Sequence, residues 1–133
     1  MATLRFELVA PERVLYAGEV DAVILPGTEG EMTVLPGHAP VMTALKTGFI
    51  VITDHKNHGA RMLVRGGFAD IGATGLTVLA ERALAPTELT PESIDQEILH
   101  AEMVRDASHD QSTKDAADAS IVQLREARAV LQY

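Results

Sequence analysis

Apolar and polar residues alternate over most of the first two thirds of the chain. Leu4, Phe6 and Leu8 alternate with charged residues, which is typical of a strand with one buried face. Comparable short segments recur at 19–25, 31–35, 61–65, 68–71 and 76–80. In the first of these, the alternation predicts an inward face made of Val20, Ala22 and Ile24. The continuous apolar run at 49–52 instead predicts a strand buried on both faces.

Turn signals concentrate in the stretch 26–48, which holds four of the ten glycines and three of the six prolines. Gly27 to Gly30 predicts one turn, because glycine reaches positive φ without steric cost. Pro36-Gly37 predicts a second turn. The polar side chains that these turns display are Glu29, Glu31 and His38. Many short strands separated by such turns predict a β-sandwich or a barrel.

The last third of the chain has a helical pattern. Thr90 is an expected N-cap with Pro91 in the first helical position, where the missing N–H has no cost. A polar break at 108–111 precedes a second expected helix, which starts with Ser112 and Asp115 in a capping-box arrangement. Along this helix, one face is expected to consist of Ala117, Ile121, Leu124, Arg128 and Leu131. Two helices with a brief connector predict a helical hairpin.

These patterns predict an α+β protein in two parts. Residues 1–84 are expected to form an antiparallel β-sandwich, and residues 85–133 a two-helix antiparallel hairpin. All ten glycines lie between Gly18 and Gly75, so the last 58 residues contain none. The first part carries 7 basic and 9 acidic residues, whereas the second carries 4 basic and 10 acidic residues. Glycine content and charge therefore change at the same place, near Ala85-Pro86.

Composition excludes several classes of function. A net charge of −8 argues against nucleic acid or an anionic membrane surface as a direct partner, because both repel acidic proteins. The absence of cysteine excludes disulfides, thiolate zinc sites and a cysteine nucleophile. We expect no secretory signal, and no run approaches the roughly 18 apolar residues that a membrane-spanning helix needs. Any membrane association is expected to come through other subunits.

Candidate catalytic chemistry is sparse. Gly27 and Gly30 lack the lysine and following helix of a phosphate-binding loop, and we interpret them as a plain turn. His55 and His58 have a spacing that permits metal binding, but we interpret them as solvated loop residues. His38 has two interpretations: a general base, or a residue that hydrogen-bonds its own loop or a partner surface. We predict no catalytic residue, no cofactor and no metal site.

The motifs of this chain resemble the ε subunit of the F-type ATP synthase, which is called δ in mitochondria. The resemblance rests on G-x-E-G-E at 27–31, P-G-H-A-P at 36–40 and T-A-L-K-x-G at 43–48. It continues in the segments GGFADI at 66–71 and LTVLAE at 76–81. The match is good from Thr3 to about Leu84, and the remainder agrees in general character.

The resemblance implies a non-catalytic central-stalk subunit that couples the rotating c-ring to the γ subunit and the catalytic head. Its implied partners are the γ subunit, the c-ring and, through the C-terminal hairpin, the α/β catalytic head. The implied location is peripheral, on the cytoplasmic face of the bacterial inner membrane. Glu29 and Glu31 are the implied c-ring contacts, and His38 is the implied γ contact.

The C-terminal helices depart from a pattern found in some relatives, which bind ATP through an Ile-Asp-x-x-Arg-Ala motif. Ile94-Asp95 is present here, but Ile98 replaces the arginine and Leu99 the alanine, so we expect ATP to bind weakly or not at all. In several relatives the hairpin extends into the catalytic head and blocks rotation. The segment 112–131 has three basic and three acidic residues, so we expect weak inhibition of ATP hydrolysis.

Two alternatives to the stalk subunit are considered. One is a stand-alone nucleotide-sensing regulatory protein, which the replacement at Ile98 disfavours. The other is a small β-sandwich hydrolase that uses His38, which lacks a partnered nucleophile in the sequence.

Overall fold

The computed structural model describes residues 2–54, 59–73 and 75–131, and the chain divides into two compact units. The first unit extends to Thr87 and the second begins at Glu88. The strands of the first unit are β1 (Leu4–Ala10), β2 (Arg13–Val20), β3 (Ala22–Gly27), β4 (Gly30–Val34), β5 (Val41–Leu45), β6 (Gly48–Thr53), β7 (Ala60–Ile71) and β8 (Gly75–Leu84). Pro86–Glu88 forms one turn of 3-10 helix, and the helices are α1 (Pro91–Ala107) and α2 (Gln111–Leu131).

The strands form a β-sandwich with the hydrogen-bonding order β2-β1-β8-β7-β5-β3-β4. Strand β6 lies off this path and pairs with both β3 and β7. Every described pair is antiparallel except β1 with β8, which run parallel. The predicted class, a β-sandwich followed by a helical hairpin, is therefore confirmed, with this one parallel pair added.

Strand β7 forms part of both layers of the sandwich because it bends at Gly66 and Gly67. Its first half pairs with β6 and its second half with β5. Both glycines have positive φ, 74° and 128°. A Cβ on Gly67 would lie 2.1 Å from the carbonyl oxygen of Leu79, so only glycine fits against β8 at this point. The bend joins the predicted segments 61–65 and 68–71 into a single strand.

The core of the sandwich is made by the inner faces of these strands. Leu4, Phe6 and Leu8 are buried, as their alternation predicts. The Phe6 and Tyr16 rings lie 5.5 Å apart in a tilted arrangement that adds to the stabilisation from burial. Each large buried side chain contributes about 1.5–3 kcal/mol relative to an exposed one. The other large members of this core include Leu25, Ile50, Ile52, Met62, Ile71 and Leu76.

The inward face predicted for segment 19–25 is wrong after its first member. Ala22 and Ile24 are only partly buried, whereas Val23 and Leu25 are fully buried. The chain bends at Asp21, whose amide donates to a backbone carbonyl of β6 at 2.8 Å. Because side chains of a strand alternate with a period of two, a bend of one residue exchanges the two faces.

The apolar run 49–52 has one fully buried face, not two. Ile50 and Ile52 are buried, while Phe49 and Val51 are partly exposed on the opposite side. The guanidinium of Arg61, on the neighbouring strand, lies 5.1 Å from the centre of the Phe49 ring. The outward apolar side chain is thus covered by a cation–π contact, which a reading of β6 alone does not reveal.

Strands β2 and β5 have no clear alternation in the sequence and were not predicted. Most residues of β2 are exposed or partly exposed, and β5 begins with two exposed apolar residues. Both strands form through backbone pairing, β2 with β1 and β5 with β7. The predicted loop of β6 and β7 at 55–59, with His55 and His58, lies outside the described residues except for Gly59.

The first helix begins as predicted, with Thr90 as the N-cap. The Ser93 amide donates to the Thr90 hydroxyl at 3.0 Å, and the Thr90 amide donates to the Ser93 hydroxyl at 2.9 Å. This reciprocal capping box satisfies two backbone donors that the helix leaves unpaired.

The second helix begins one residue earlier than predicted, and its cap is Asp110 and not Ser112. The carbonyl of Asp110 accepts from the Lys114 amide at 3.1 Å, which is the first bond of the helix. Its carboxylate accepts from the hydroxyls of Ser112 and Thr113 at 2.8 and 2.9 Å. Those bonds lower the pKa of Asp110, with the Ser112 hydroxyl as the largest cause. An ionised aspartate accepts several donors at once, and it therefore displaces serine from the cap.

Candidate interaction surfaces

A two-residue turn, Thr28 and Glu29, joins β3 to β4 between the paired residues Gly27 and Gly30. Gly30 has a φ of 131°, and a Cβ on Gly27 would lie 2.7 Å from the Gly30 carbonyl oxygen. Both positions therefore favour glycine strongly. Glu29 on the turn and Glu31 at the start of β4 are both exposed, so the structure displays both predicted carboxylates at this tip.

The end of β5 braces this turn. The Thr28 amide donates to the Ala44 carbonyl at 3.0 Å, and the Lys46 amide donates to the Pro26 carbonyl at 2.9 Å. These two bonds hold the β3–β4 turn from the side. Binding of a partner to a braced turn costs less conformational entropy than binding to a free loop, because the turn is already ordered.

His38 lies in a turn that follows β4. Its amide donates to the Leu35 carbonyl at 3.1 Å, and Gly37 has a φ of 81°. The Nδ1 atom of His38 lies 2.8 Å from the Ala39 carbonyl oxygen. A carbonyl can only accept, so Nδ1 carries the proton and Nε2 is left as the acceptor of the neutral ring. The predicted hydrogen bond of His38 to its own loop is therefore present.

The structure does not bring the three predicted site residues together. Glu29 and Glu31 lie at the start of β4, and His38 lies beyond its end. Leu35, which the sequence places inside the strand, falls just after it and is exposed. Two separate surfaces, one at each end of β4, are defined by these residues.

A row of apolar side chains crosses the outer face of the sheet. Neighbouring strands pair Ala44 with Phe68, Phe68 with Leu79, Leu79 with Val9 and Val9 with Val14. Residues paired across strands share a face, so these five side chains form one line, which we call the apolar row. Phe68, Leu79 and Val14 are 54%, 56% and 63% exposed. Met42, on the same face of β5, is 65% exposed.

Carboxylates flank the apolar row on the same face of the sheet. Asp70 follows Phe68 by two residues, Glu81 follows Leu79 by two, and Glu7 precedes Val9 by two. Arg5 lies within 3.5 Å of the Glu7 carboxylate, between Nε and Oε1. This face thus combines an apolar centre with a mainly acidic border, which suits a partner with an apolar strip and basic residues beside it.

Ion pairs connect the two helices of the hairpin. The Arg128 guanidinium donates to both carboxylate oxygens of Asp95, with Nε–Oδ1 at 2.5 Å and Nη2–Oδ2 at 3.1 Å. These bonds raise the pKa of Arg128 above its usual range. Arg105 Nη1 lies 3.2 Å from Asp118 Oδ1, and Arg125 Nη2 lies 4.0 Å from Glu102 Oε2. Asp95, the acidic residue of the incomplete nucleotide motif, is therefore engaged by a cation of this chain.

No cluster of three or more His, Asp or Glu side chains with metal-binding geometry occurs within the described parts of the chain. Among the described helices, none combines the length and apolarity that crossing a membrane requires. A small β-sandwich with an exposed apolar row and a braced acidic turn, followed by a helical hairpin, belongs to the class of two-part proteins whose surfaces suit binding to other proteins.

Comparison with known proteins agrees with this class and makes it specific. Residues 3–86 match the family model of the ATP synthase delta/epsilon chain β-sandwich domain. The ATP synthase epsilon chain of Parvibaculum lavamentivorans is 43% identical over 116 residues, which cover 86% of this chain and 88% of that one. The chain of Maricaulis maris with the same name is 39% identical over 130 residues, which cover 98% and 97%. The chain belongs to the ATP synthase delta/epsilon family, and the expected non-catalytic subunit is confirmed.

Solved structures share the fold. A chain in the cryo-EM structure of the Euglena gracilis mitochondrial ATP synthase aligns with a TM-score of 0.73 at 20% identity, covering 98% of this chain and 82% of that one. A chain of the central stalk and c-ring structure from Tetrahymena thermophila mitochondrial ATP synthase aligns at 0.63 and 10% identity, covering 94% and 96%. Both likenesses show the fold of the chain, a β-sandwich followed by a helical hairpin.

The sequence did not reveal the apolar row or the interhelical ion pairs. The alternation at 68–71 is a partial signal for the row. Ala69 and Ile71 are buried, which puts Phe68 and Asp70 on the other face of β7. The five members come from five different strands, however, and only the register of the strands aligns them. The ion pair of Asp95 with Arg128 joins residues 33 positions apart, and no sequence motif indicates it.

Proposed function

We propose that this chain is a central-stalk subunit of an F-type ATP synthase, which transmits rotation between the c-ring and the γ subunit. The single observation that carries the proposal is the exposed apolar row on a sandwich of this family. In this proposal the γ subunit binds the row, and the ring binds the braced β3–β4 turn. The chain then lies on the cytoplasmic face of a bacterial inner membrane and reaches the membrane only through the complex.

The apolar row supports the γ contact through its size and continuity. Monomeric proteins expose scattered apolar side chains, whereas an ordered line of large ones marks an interaction site. Phe68 and Leu79 are at the centre of the line, where interfaces concentrate their binding energy. The acidic border formed by Asp70 and Glu81 favours basic residues on the γ side and raises the rate of correct encounter.

His38 is proposed as a γ contact at the margin of the row. It precedes β5, the strand that carries Met42 and Ala44. With Nδ1 bonded to its own loop, the ring is held in one orientation and Nε2 is available to accept a bond. This contact would determine the orientation of the γ subunit on the sandwich more than its affinity, because a single neutral hydrogen bond contributes only about 0.5–1.5 kcal/mol.

Glu29 and Glu31 are proposed as the contact with the c-ring. Glu29 is exposed on a turn that two backbone bonds hold in place, and Glu31 is exposed at the start of the strand that follows it. Each exposed ion pair with a basic ring residue would contribute only about 0–1 kcal/mol. The turn therefore transmits torque through its shape and rigidity, and the carboxylates select the matching loops of the ring.

The hairpin is proposed to contact the α/β catalytic head and to inhibit ATP hydrolysis weakly. The three arginines of the hairpin, Arg105, Arg125 and Arg128, are paired with carboxylates of the hairpin itself. They are therefore not free to bind an acidic surface of the head while the helices remain together. The proposal of weak inhibition rests on this pairing and on the zero net charge of the second helix.

The γ contact is tested with Phe68→Asp in the full chain, co-expressed with the α, β and γ subunits. We expect about thirtyfold weaker retention of γ on a tagged chain, as for loss of an interface hot spot. Leu99→Asp is the matched control, since Leu99 is 51% exposed but lies on α1. Circular dichroism verifies that both variants fold. Wild-type retention of γ by Phe68→Asp would refute the assignment of the row.

The ring contact is tested with Glu31→Lys in the assembled enzyme. Charge reversal should lower proton-driven ATP synthesis by severalfold while the detached head continues to hydrolyse ATP. Glu12→Lys, on the β1–β2 turn, introduces the same change at another exposed turn and should leave synthesis unchanged. Equal synthesis by both variants would remove Glu31 from the proposed interface.

A further inference from the structure

We propose that the apolar row and the β3–β4 turn are thermodynamically coupled through β5, so that a partner bound to the row strengthens the binding of a partner to the turn. The inference rests on the proposed function, which assigns the row to γ and the turn to the ring. It goes beyond that function because it makes the two contacts cooperative. Strand β5 thereby acquires a role in assembly that no motif of its sequence indicates.

Ala44 belongs to both surfaces. Its side chain is part of the apolar row, since Ala44 pairs with Phe68. Its carbonyl oxygen accepts a bond from the Thr28 amide of the turn at 3.0 Å. The next residue, Leu45, pairs with β7 on one side and with Gly27 on the other. The end of β5 therefore lies between the strand that carries Phe68 and the strand that leads into the turn.

The connection of β5 to the turn consists of few contacts. Within the described parts of the chain, β3 and β5 share a single residue pair, at the base of the turn. On either side of that pair, the Thr28 amide donates to β5 and the Lys46 amide donates to the Pro26 carbonyl at 2.9 Å. Each hydrogen bond is weak in net terms, so local opening of β5 breaks this small set together. The order of the turn therefore depends on the order of β5.

Without a partner, β5 is weakly held by its side chains. Of its five residues, all of which the structure describes, Leu45 alone is buried, whereas Val41 and Met42 are 42% and 65% exposed. Segments with few buried apolar contacts open at a lower free energy than the core. A partner that covers Met42, Ala44 and Phe68 buries apolar area on β5 and so disfavours this opening. Binding at the row thus removes part of the entropy cost of ordering the turn.

The coupling acts in both directions. Linkage requires that a ring bound to the turn raises the affinity of the row for γ by the same factor as γ raises the affinity of the turn for the ring. We expect a factor of about five, at the lower end of measured couplings between two sites, because few bonds connect the surfaces. Such coupling favours chains that hold both partners over chains that hold one.

The test measures amide hydrogen exchange at single residues in the full chain, free and bound to the γ subunit co-purified with α and β. The reporters are the amides of Thr28 and Lys46, which belong to the turn and its brace and not to the apolar row. We expect bound γ to slow the exchange of both amides by about two- to tenfold, the range that one hydrogen bond contributes.

Thr28→Pro removes one of the two bracing bonds and keeps the turn. Neither Thr28 nor Glu29 has positive φ, as in a type I turn, whose first central residue favours proline. Thr28→Ala is the matched control, because it retains the amide and changes only an exposed side chain. Both variants should bind γ as the wild type does. Protection of the Lys46 amide by γ should be largely lost in Thr28→Pro and unchanged in Thr28→Ala.

Two results would overturn the coupling by itself. Exchange of the Thr28 amide that bound γ leaves unchanged would show that β5 does not transmit order to the turn. Full protection of Lys46 by γ in Thr28→Pro would show that γ covers this region directly. Failure of γ to bind the wild-type chain is a different result, since it would refute the proposed function and this inference with it.

Discussion

At the residue scale, the turn between β1 and β2 places a residue with a side chain in a backbone conformation that favours glycine. Glu12 has a φ of 69°, and among the described residues it is the one non-glycine residue with positive φ. Pro11 before it and the pairing of Ala10 with Arg13 fit a type II turn, whose third residue favours glycine. A side chain in this region is strained, since its Cβ approaches the following backbone.

The strain predicts that Glu12→Gly raises the free energy of unfolding by about 0.5–1 kcal/mol, after the greater chain entropy of glycine is subtracted. Urea denaturation of the full chain gives this value. Glu12→Ala removes the same charge and retains a Cβ, so it should leave stability nearly unchanged. A glycine variant no more stable than the alanine variant would show that the turn relaxes without strain.

At the element scale, the start of α2 depends on a carboxylate. Bonds to Asp110, first from the Ser112 hydroxyl and then from the Thr113 hydroxyl, lower its pKa in the folded chain. A lowered pKa means that ionised Asp110 stabilises the folded state at neutral pH. This contribution decreases as pH falls below the unfolded value of about 3.9 and is lost below the folded pKa.

Asp110→Asn therefore gives a pH-dependent difference. Asparagine caps helices as well as aspartate but does not ionise, so the wild type should melt at a higher temperature than the variant at pH 7. The two melting temperatures should converge as the pH is lowered through the folded pKa of Asp110, where the carboxyl becomes protonated. Circular dichroism across this pH range measures both midpoints. A difference in melting temperature that stays constant with pH would show that the side-chain geometry of Asp110, and not its charge, stabilises the start of α2.

At the scale of the whole molecule, charge and structure are divided in the same way. The chain has a net charge of −8, and most of it lies in the second unit, which begins at Glu88. The sandwich carries the proposed γ and ring contacts, whereas the hairpin holds its arginines in internal pairs. Assembly and inhibition are thus assigned to different units of one chain.

Deletion of residues 86–133 should leave ATP hydrolysis by the reconstituted enzyme nearly unchanged, because the paired hairpin is proposed to be a weak inhibitor. The sandwich alone should still be incorporated, which the amount of truncated chain in the purified complex measures. An increase in hydrolysis of severalfold would show that the hairpin is a strong inhibitor despite its internal ion pairs.

The sequence by itself determined what depends on neighbours along the chain. Period-two alternation identified β1, turn glycines located the β3–β4 turn, and Thr90 with Pro91 predicted the start of α1. Motifs of the turns were enough to indicate the family. Glu29, Glu31 and His38 were predicted as contact residues in this way, because local glycine and proline spacing indicates which residues lie in or beside exposed turns.

Only the tertiary structure decided what depends on distant segments. A bend at Asp21 exchanged the faces of β3, and the edge strand β2 formed through pairing with β1. The apolar row exists because strand register aligns segments far apart in sequence, and the Asp95–Arg128 pair exists because the connector folds α2 back on α1. Local patterns encode backbone preference and which face can be buried, whereas register and long-range charge pairs arise only when the elements pack.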